Sequence, residues 1–156
     1  MKRGRRIGIA FVFLVSMLFL SIPQDVAATA PYFAVCINFA DYGDLDGDYT
    51  EDDILILFTC VIGDGYPSPK ESDFLFTLTV PSGAQYYALV TVIGRYRVIR
   101  LALSWFDSAL EQGWYNVQLD AFGYGIYGGY DYDTYDFDPP TEAGGGAPTG
   151  VAVTFW

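Results

Sequence analysis

From Tyr32 onward, β-branched and aromatic residues come in short runs interrupted by clusters of Gly, Pro, Asp and Ser, and no stretch keeps a helical period. The pattern predicts strands near Tyr32 to Ala40, Asp53 to Ile62, Asp73 to Val80, Gln85 to Ile93, Arg95 to Trp105, Trp114 to Phe122 and Val151 to Trp156. Between them lie Gly63-Asp64-Gly65-Tyr66-Pro67-Ser68-Pro69, Pro81-Ser82-Gly83 and Gly94, which supply the positive or fixed φ that chain reversals need. Seven short strands at regular spacing predict an all-β two-sheet sandwich, with a small closed β-barrel as the alternative. If Val151 to Trp156 is the last strand, residues 123–150 form one long loop rich in Tyr, Gly, Asp and Pro. Loops of that length are functional or disordered. Interleaved tyrosines suit a contact surface, and the Gly-rich stretch 141–146 suits a flexible acidic linker.

Ahead of this pattern, MKRGRR places four positive charges before the apolar run IGIAFVFLVSMLFLSIP, and QDVAATA follows with small residues. This is the layout of a secretory signal over residues 1–28, cut after Ala28 to leave Thr29 as the first residue, or after Ala30; an uncleaved anchor is the alternative. About 128 residues then form a single domain, 29–156, expected to be secreted or displayed at the cell surface. Removing the signal leaves four basic residues against eighteen acidic ones. Such a balance excludes nucleic acid as a partner and favours cations. The chain has no histidine. That removes the usual general base near neutral pH, the usual zinc ligand and every Ser-His or Cys-His pair, so no enzyme is expected; a two-carboxylate glycosidase is the one class left open.

The run Asp107-Ser108-Ala109-Leu110-Glu111-Gln112-Gly113-Trp114-Tyr115-Asn116-Val117 resembles the bend before the F strand of immunoglobulin-like and fibronectin-type-III-like domains. The resemblance implies an immunoglobulin-like sandwich in which the Tyr115 hydroxyl clamps the corner.

Two cysteines add a geometric expectation. If the first two strands form a hairpin whose paired numbers sum to 96, Cys36 stands opposite Cys60, and an oxidising compartment then favours a disulfide. Two free thiols are the alternative.

Between those strands lies Asp41-Tyr42-Gly43-Asp44-Leu45-Asp46-Gly47-Asp48-Tyr49-Thr50-Glu51-Asp52-Asp53, seven carboxylates in thirteen residues. Asp44, Asp46 and Asp48 stand at loop positions 1, 3 and 5, a spacing that converges hard oxygens on calcium (Ca2+); Thr50 would add a backbone carbonyl, and Asp52 or Asp53 would close the shell. The segment resembles the calcium loops of dockerin repeats and of integrin-type propeller blades. It departs from them in carrying Tyr49 where glycine usually stands and in its early closing acid. We read it as a calcium loop set in a β-hairpin, against the alternative of a solvated acidic turn. The resemblances together imply a calcium-stabilised binding or structural module of a prokaryotic surface or extracellular space, with an unknown protein or glycan ligand. A carbohydrate-binding module using Trp105, Trp114 or the loop tyrosines is the alternative.

Overall fold

In a computed structural model, residues 32–139 and 147–156 are described. The signal peptide expected over residues 1–28 and both cleavage sites lie outside them. Eight strands follow one another: β1 (Phe33–Gly43), β2 (Asp53–Ile62), β3 (Glu71–Thr79), β4 (Gln85–Ile93), β5 (Val98–Phe106), β6 (Tyr115–Tyr124), β7 (Tyr130–Phe137) and β8 (Gly150–Phe155). They form two antiparallel four-stranded sheets, the first in the order β1-β2-β5-β8 and the second β4-β3-β6-β7, so the barrel alternative falls away. Among the described residues, no helix is long and apolar enough to cross a membrane.

The sandwich follows from period-two patterning. Ile54, Ile56, Phe58 and Cys60 on β2 point inward with Leu101, Leu103 and Trp105 on β5, and they meet Phe74, Phe76 and Leu78 on β3 and Val117, Leu119 and Ala121 on β6. At the centre, Phe58 lies 5.2 Å from Phe74 and 5.0 Å from Phe76 between ring centroids, and the Trp105 ring meets Phe76 edge-on. Tilted and edge-to-face pairs suit the ring quadrupoles, and each fully buried side chain of this size adds about 1.5–3 kcal/mol by leaving water.

Two expectations are corrected. The first concerns the strand count: the chain has eight strands, and β7 lies inside the segment expected as a loop over residues 123–150. The first run of glycines ends at Gly129. From Tyr130 to Asp133, Tyr and Asp alternate strictly, and that alternation gives a strand two distinct faces. The turn into β7 needs its glycine, because Gly123 N donates to Gly129 O at 2.7 Å and a Cβ on Gly129 would collide with the Gly123 carbonyl.

The second correction concerns the disulfide. The expected register holds from Phe39↔Leu57 to Gly43↔Asp53, but a β-bulge at Asn38 shifts it by one, giving Ile37↔Phe58, Cys36↔Thr59 and Val35↔Cys60. A one-residue slip turns a side chain to the other face. Cys60 is therefore buried in the core and Cys36 is exposed on the outer face, and both thiols are free. Burial pushes the Cys60 thiol up to about 12, its hydrogen bond with the Tyr96 hydroxyl notwithstanding.

Candidate functional site

The acidic loop, residues 44–52, hangs between β1 and β2 at one end of the sandwich. Its first half is organised by carboxylates that accept backbone amides. Asp44 Oδ1 takes Gly47 N at 2.7 Å and its Oδ2 takes Tyr49 N at 3.2 Å; Asp46 Oδ1 takes Asp48 N at 3.0 Å, and Asp48 Oδ1 takes Thr50 N at 2.7 Å. Short side chains that bond amides two to five residues on compete with regular structure and fold the chain into a tight coil. Tyr49, at the place where glycine is usual, adopts φ 75°, and Gly47 adopts φ 83°. Tyr49 thus takes the left-handed conformation that glycine adopts freely and that costs an L side chain energy.

The outcome is convergence. Asp44, Asp46 and Asp48 each place a carboxylate oxygen within 4.8 Å of the other two. Such exposed, all-oxygen geometry fits a hard cation of calcium's size. Asp53 plays a different part: it is 1 % exposed, its Oδ2 takes the amides of Leu45 and Asp46 at 2.7 and 3.0 Å, and its Oδ1 takes Asp107 N at 2.9 Å. It ties the loop to the end of β5. Asp52 lies in neither carboxylate cluster; its backbone carbonyl takes the amides of Ser108 and Ala109. Thr50 contributes its amide to Asp48.

Asp107 was not among the residues expected at this site. The pairing of Ile54 with Trp105 brings it beside the loop, where its carboxylate forms a second cluster with Asp46 and Asp53. It takes the left-handed conformation at φ 51°, which Asp tolerates, and accepts a hydrogen bond from the Thr149 hydroxyl. Nothing in the local sequence announces it; the signal is the strand register across 54 residues. The crowding shows in the acids themselves. The hydrogen bond from Asp48 pulls the Asp46 carboxyl down, but desolvation and the charges of Asp48, Asp53 and Asp107 together leave it above its ordinary value. Asp52 is raised as well, by desolvation first and then by Asp107, Asp48 and Asp53.

Tyr115 behaves as the corner resemblance implies. Its hydroxyl accepts Glu111 N at 2.7 Å and donates to Glu111 O at 2.9 Å, and the ring is fully buried. Of the rings considered for stacking on a sugar, Trp105 is in the core and has no free face, whereas Trp114 is exposed. The tyrosines of β7 are exposed too. Tyr130 and Tyr132 stand on the outer face of the second sheet beside Phe122 and Tyr124, the Tyr130 and Tyr132 rings within 24° of parallel at 6.5 Å. Tyr130 donates to Asp120 at 2.8 Å and Tyr124 to Asp73 at 2.7 Å, bonds that fix both rings and raise both phenols. No protein-family model, curated protein or solved structure matches the chain.

Proposed function

We propose that the chain is a secreted, calcium-stabilised binding or assembly module with an immunoglobulin-like arrangement of strands. The convergence of Asp44, Asp46 and Asp48 carries the calcium reading. Three like charges so close repel one another by about 4 kcal/mol per pair at 4 Å and an effective dielectric near 20, and a divalent cation relieves them. The fold reading is supported by the sheet order: taken as A, B, C, C′, E, F and G, the strands β1 to β7 divide into A-B-E and C′-C-F-G, and β8 lies beside β5 in the position of D. The Tyr115 clamp at the start of β6 supports the same reading.

Calorimetry and thermal melting test the calcium reading. Calcium binding only the folded state adds about 2.7 kcal/mol at a hundredfold excess over Kd, so the melting temperature rises with calcium, less with magnesium, and not at all in Asp46→Ala. Absent binding heat together with a chelator-insensitive melt would reduce the loop to an acidic turn. The secretion reading rests on the basic and apolar N-terminal segment. Protein recovered from its host should begin near Thr29, and a chain still starting at Met1 refutes cleavage.

A second reading, carbohydrate binding, is favoured by one observation: the near-parallel rings of Tyr130 and Tyr132, the first fixed by Asp120, on the outer face of the second sheet. Aromatic faces stack on pyranose rings while the carboxylates accept sugar hydroxyls. A glycan array tests it, with Tyr132→Ala losing every signal the parent gives.

A further inference from the structure

We propose that β8 is a self-association edge, two copies pairing their β8 strands antiparallel about a two-fold axis so that their first sheets join into one sheet of eight strands. The inference deepens the assembly reading above and does not depend on the cation.

The first observation is an inward-facing stripe that none of the described residues covers fully. Val151, Val153 and Phe155 are the register partners of Trp105, Leu103 and Leu101, so their side chains lie on the core-facing side of the first sheet. The three partners on β5 are at most 2 % exposed, whereas Val151, Val153 and Phe155 are 45, 39 and 78 % exposed. The second sheet ends at β4 and does not reach over them. Among the described residues β8 has a strand, β5, on one side only, so its other side is a sheet edge. The strand itself is held in place: Thr149 N bonds Phe106 O, Trp156 N bonds Arg100 O, the Trp156 indole donates to Leu101 O, and the Arg100 guanidinium lies 5.9 Å from that ring.

Charge selects the occupant. The protein carries nineteen acidic residues against eight basic, so copies repel one another over most of their surface. Gly150-Val151-Ala152-Val153-Thr154-Phe155 contains no charge at all. It also lacks the lysine, proline or bulge by which edge strands are usually blunted. β4 is uncharged as well, but its inward residues are already half or fully covered, so it gains less from a partner. The β8 sequence is self-complementary: pairing centred on Val153 sets Val153 against its own copy and Val151 against Phe155, and Ala152 against Thr154 on the outer face. An isologous contact needs this property, since one patch must serve both subunits. Apolar cross-strand pairs then join the two stripes into one band.

Sedimentation velocity on the protein recovered from its host should show a dimer, in calcium and in chelator alike, so failure here is separable from failure of the calcium reading. Val153→Lys should weaken dimerisation by more than about tenfold, because it forces two unpaired ammonium groups together at the axis, while Thr91→Lys on the outer face of β4 leaves it unchanged. A crosslink reads the register directly. In a Cys36→Ser background, Val153→Cys should be joined into a covalent dimer by a short bifunctional thiol reagent, since directly opposed Cβ atoms lie about 4.5–5.5 Å apart, and Thr91→Cys should stay unlinked. Three outcomes overturn the proposal: a monomer at concentrations on the order of 100 µM, a dimer that Val153→Lys leaves intact, or a monomer whose β8 takes up an extended peptide of another protein instead.

Discussion

Where β1 and β7 meet, the edge amides of the first sheet find side-chain acceptors in the second: Asp131 Oδ2 takes Val35 N at 2.9 Å and Asp133 Oδ2 takes Ile37 N at 2.8 Å. At the other side, where the sheets end in β8 and β4, neither strand carries a charge and the apolar stripe of β8 is exposed among the described residues. Both sides face the same problem, since a sheet edge offers unsatisfied backbone groups to any passing strand. One side solves it within the molecule. The carboxylates can do so because β7 alternates, sending Tyr130 and Tyr132 outward and Asp131 and Asp133 toward β1. The difference teaches that edge protection and fold stability are one interaction on the closed side and are separate on the open one.

Matched phenylalanines give the largest expected contrast. Phe33, buried on β1, should cost about 3–5 kcal/mol as Phe33→Ala, and Phe155→Ala on β8 should stay within about 0.5 kcal/mol in monomeric protein. Urea unfolding reads both, and equal losses would erase the distinction between the sides. Next come the caps: Asp131→Ala with Asp133→Ala removes two charge-assisted bonds worth about 1.5–3 kcal/mol each, and should also raise oligomer content by opening β1. Asparagine at both positions keeps an acceptor and should recover part of the loss. A double alanine variant as stable and as monodisperse as the parent would refute capping.

A smaller effect tests the acidic loop that continues β1. Asp46 and Asp52 have raised folded-state values, so each binds its proton more tightly folded than unfolded. Their contribution to stability is complete below the ordinary carboxylate value of 3.8 and is lost as pH rises through the raised values. In chelator, the melting temperature of the parent should therefore fall, relative to Asp46→Asn with Asp52→Asn, as pH rises from about 4 to 7. Calcium should remove that difference at neutral pH. A parallel pair of pH profiles would show that the crowding has no energetic consequence. Smallest of all, a thiol reagent should modify Cys36 alone in the folded protein and Cys60 only on unfolding. Reaction at Cys36 should quicken as pH rises, because desolvation and then Asp133 raise its thiol.

The strands whose inward positions are aliphatic or aromatic were legible from the sequence, and so was the convergence of Asp44, Asp46 and Asp48, because both depend on neighbours a few residues away. β7 was missed for the opposite reason: its Tyr and Asp alternate in polarity too weakly to stand out from a Gly- and Pro-rich context, and its first two inward residues, Asp131 and Asp133, are carboxylates that serve an edge, with only Tyr135 and Phe137 packing on the core. Asp107 was illegible because only the β2–β5 register places it. The bulge at Asn38 leaves no mark in composition either, yet it decides where both cysteines point.

That bulge sets the parity of the whole first strand. Along a strand, the face a side chain occupies and the flank toward which its amide points both alternate with period two. One inserted residue inverts the two together. Beyond Asn38, the same inversion that sends Val35 and Ile37 into the core aims their amides at Asp131 and Asp133 and turns Cys36 away from Cys60. Deleting Asn38 would remove only the residue left out of the ladder: Phe39 would stay opposite Leu57 and Ile37 opposite Phe58, so Cys36 would still face Thr59 and both amides would keep their carboxylates. The register in which the thiols stand opposed keeps Asn38 and pairs it with Phe58, so one residue taken into the ladder or left out of it separates a hairpin stapled by its thiols from a molecule sealed by side chains along its flank, and here it is left out.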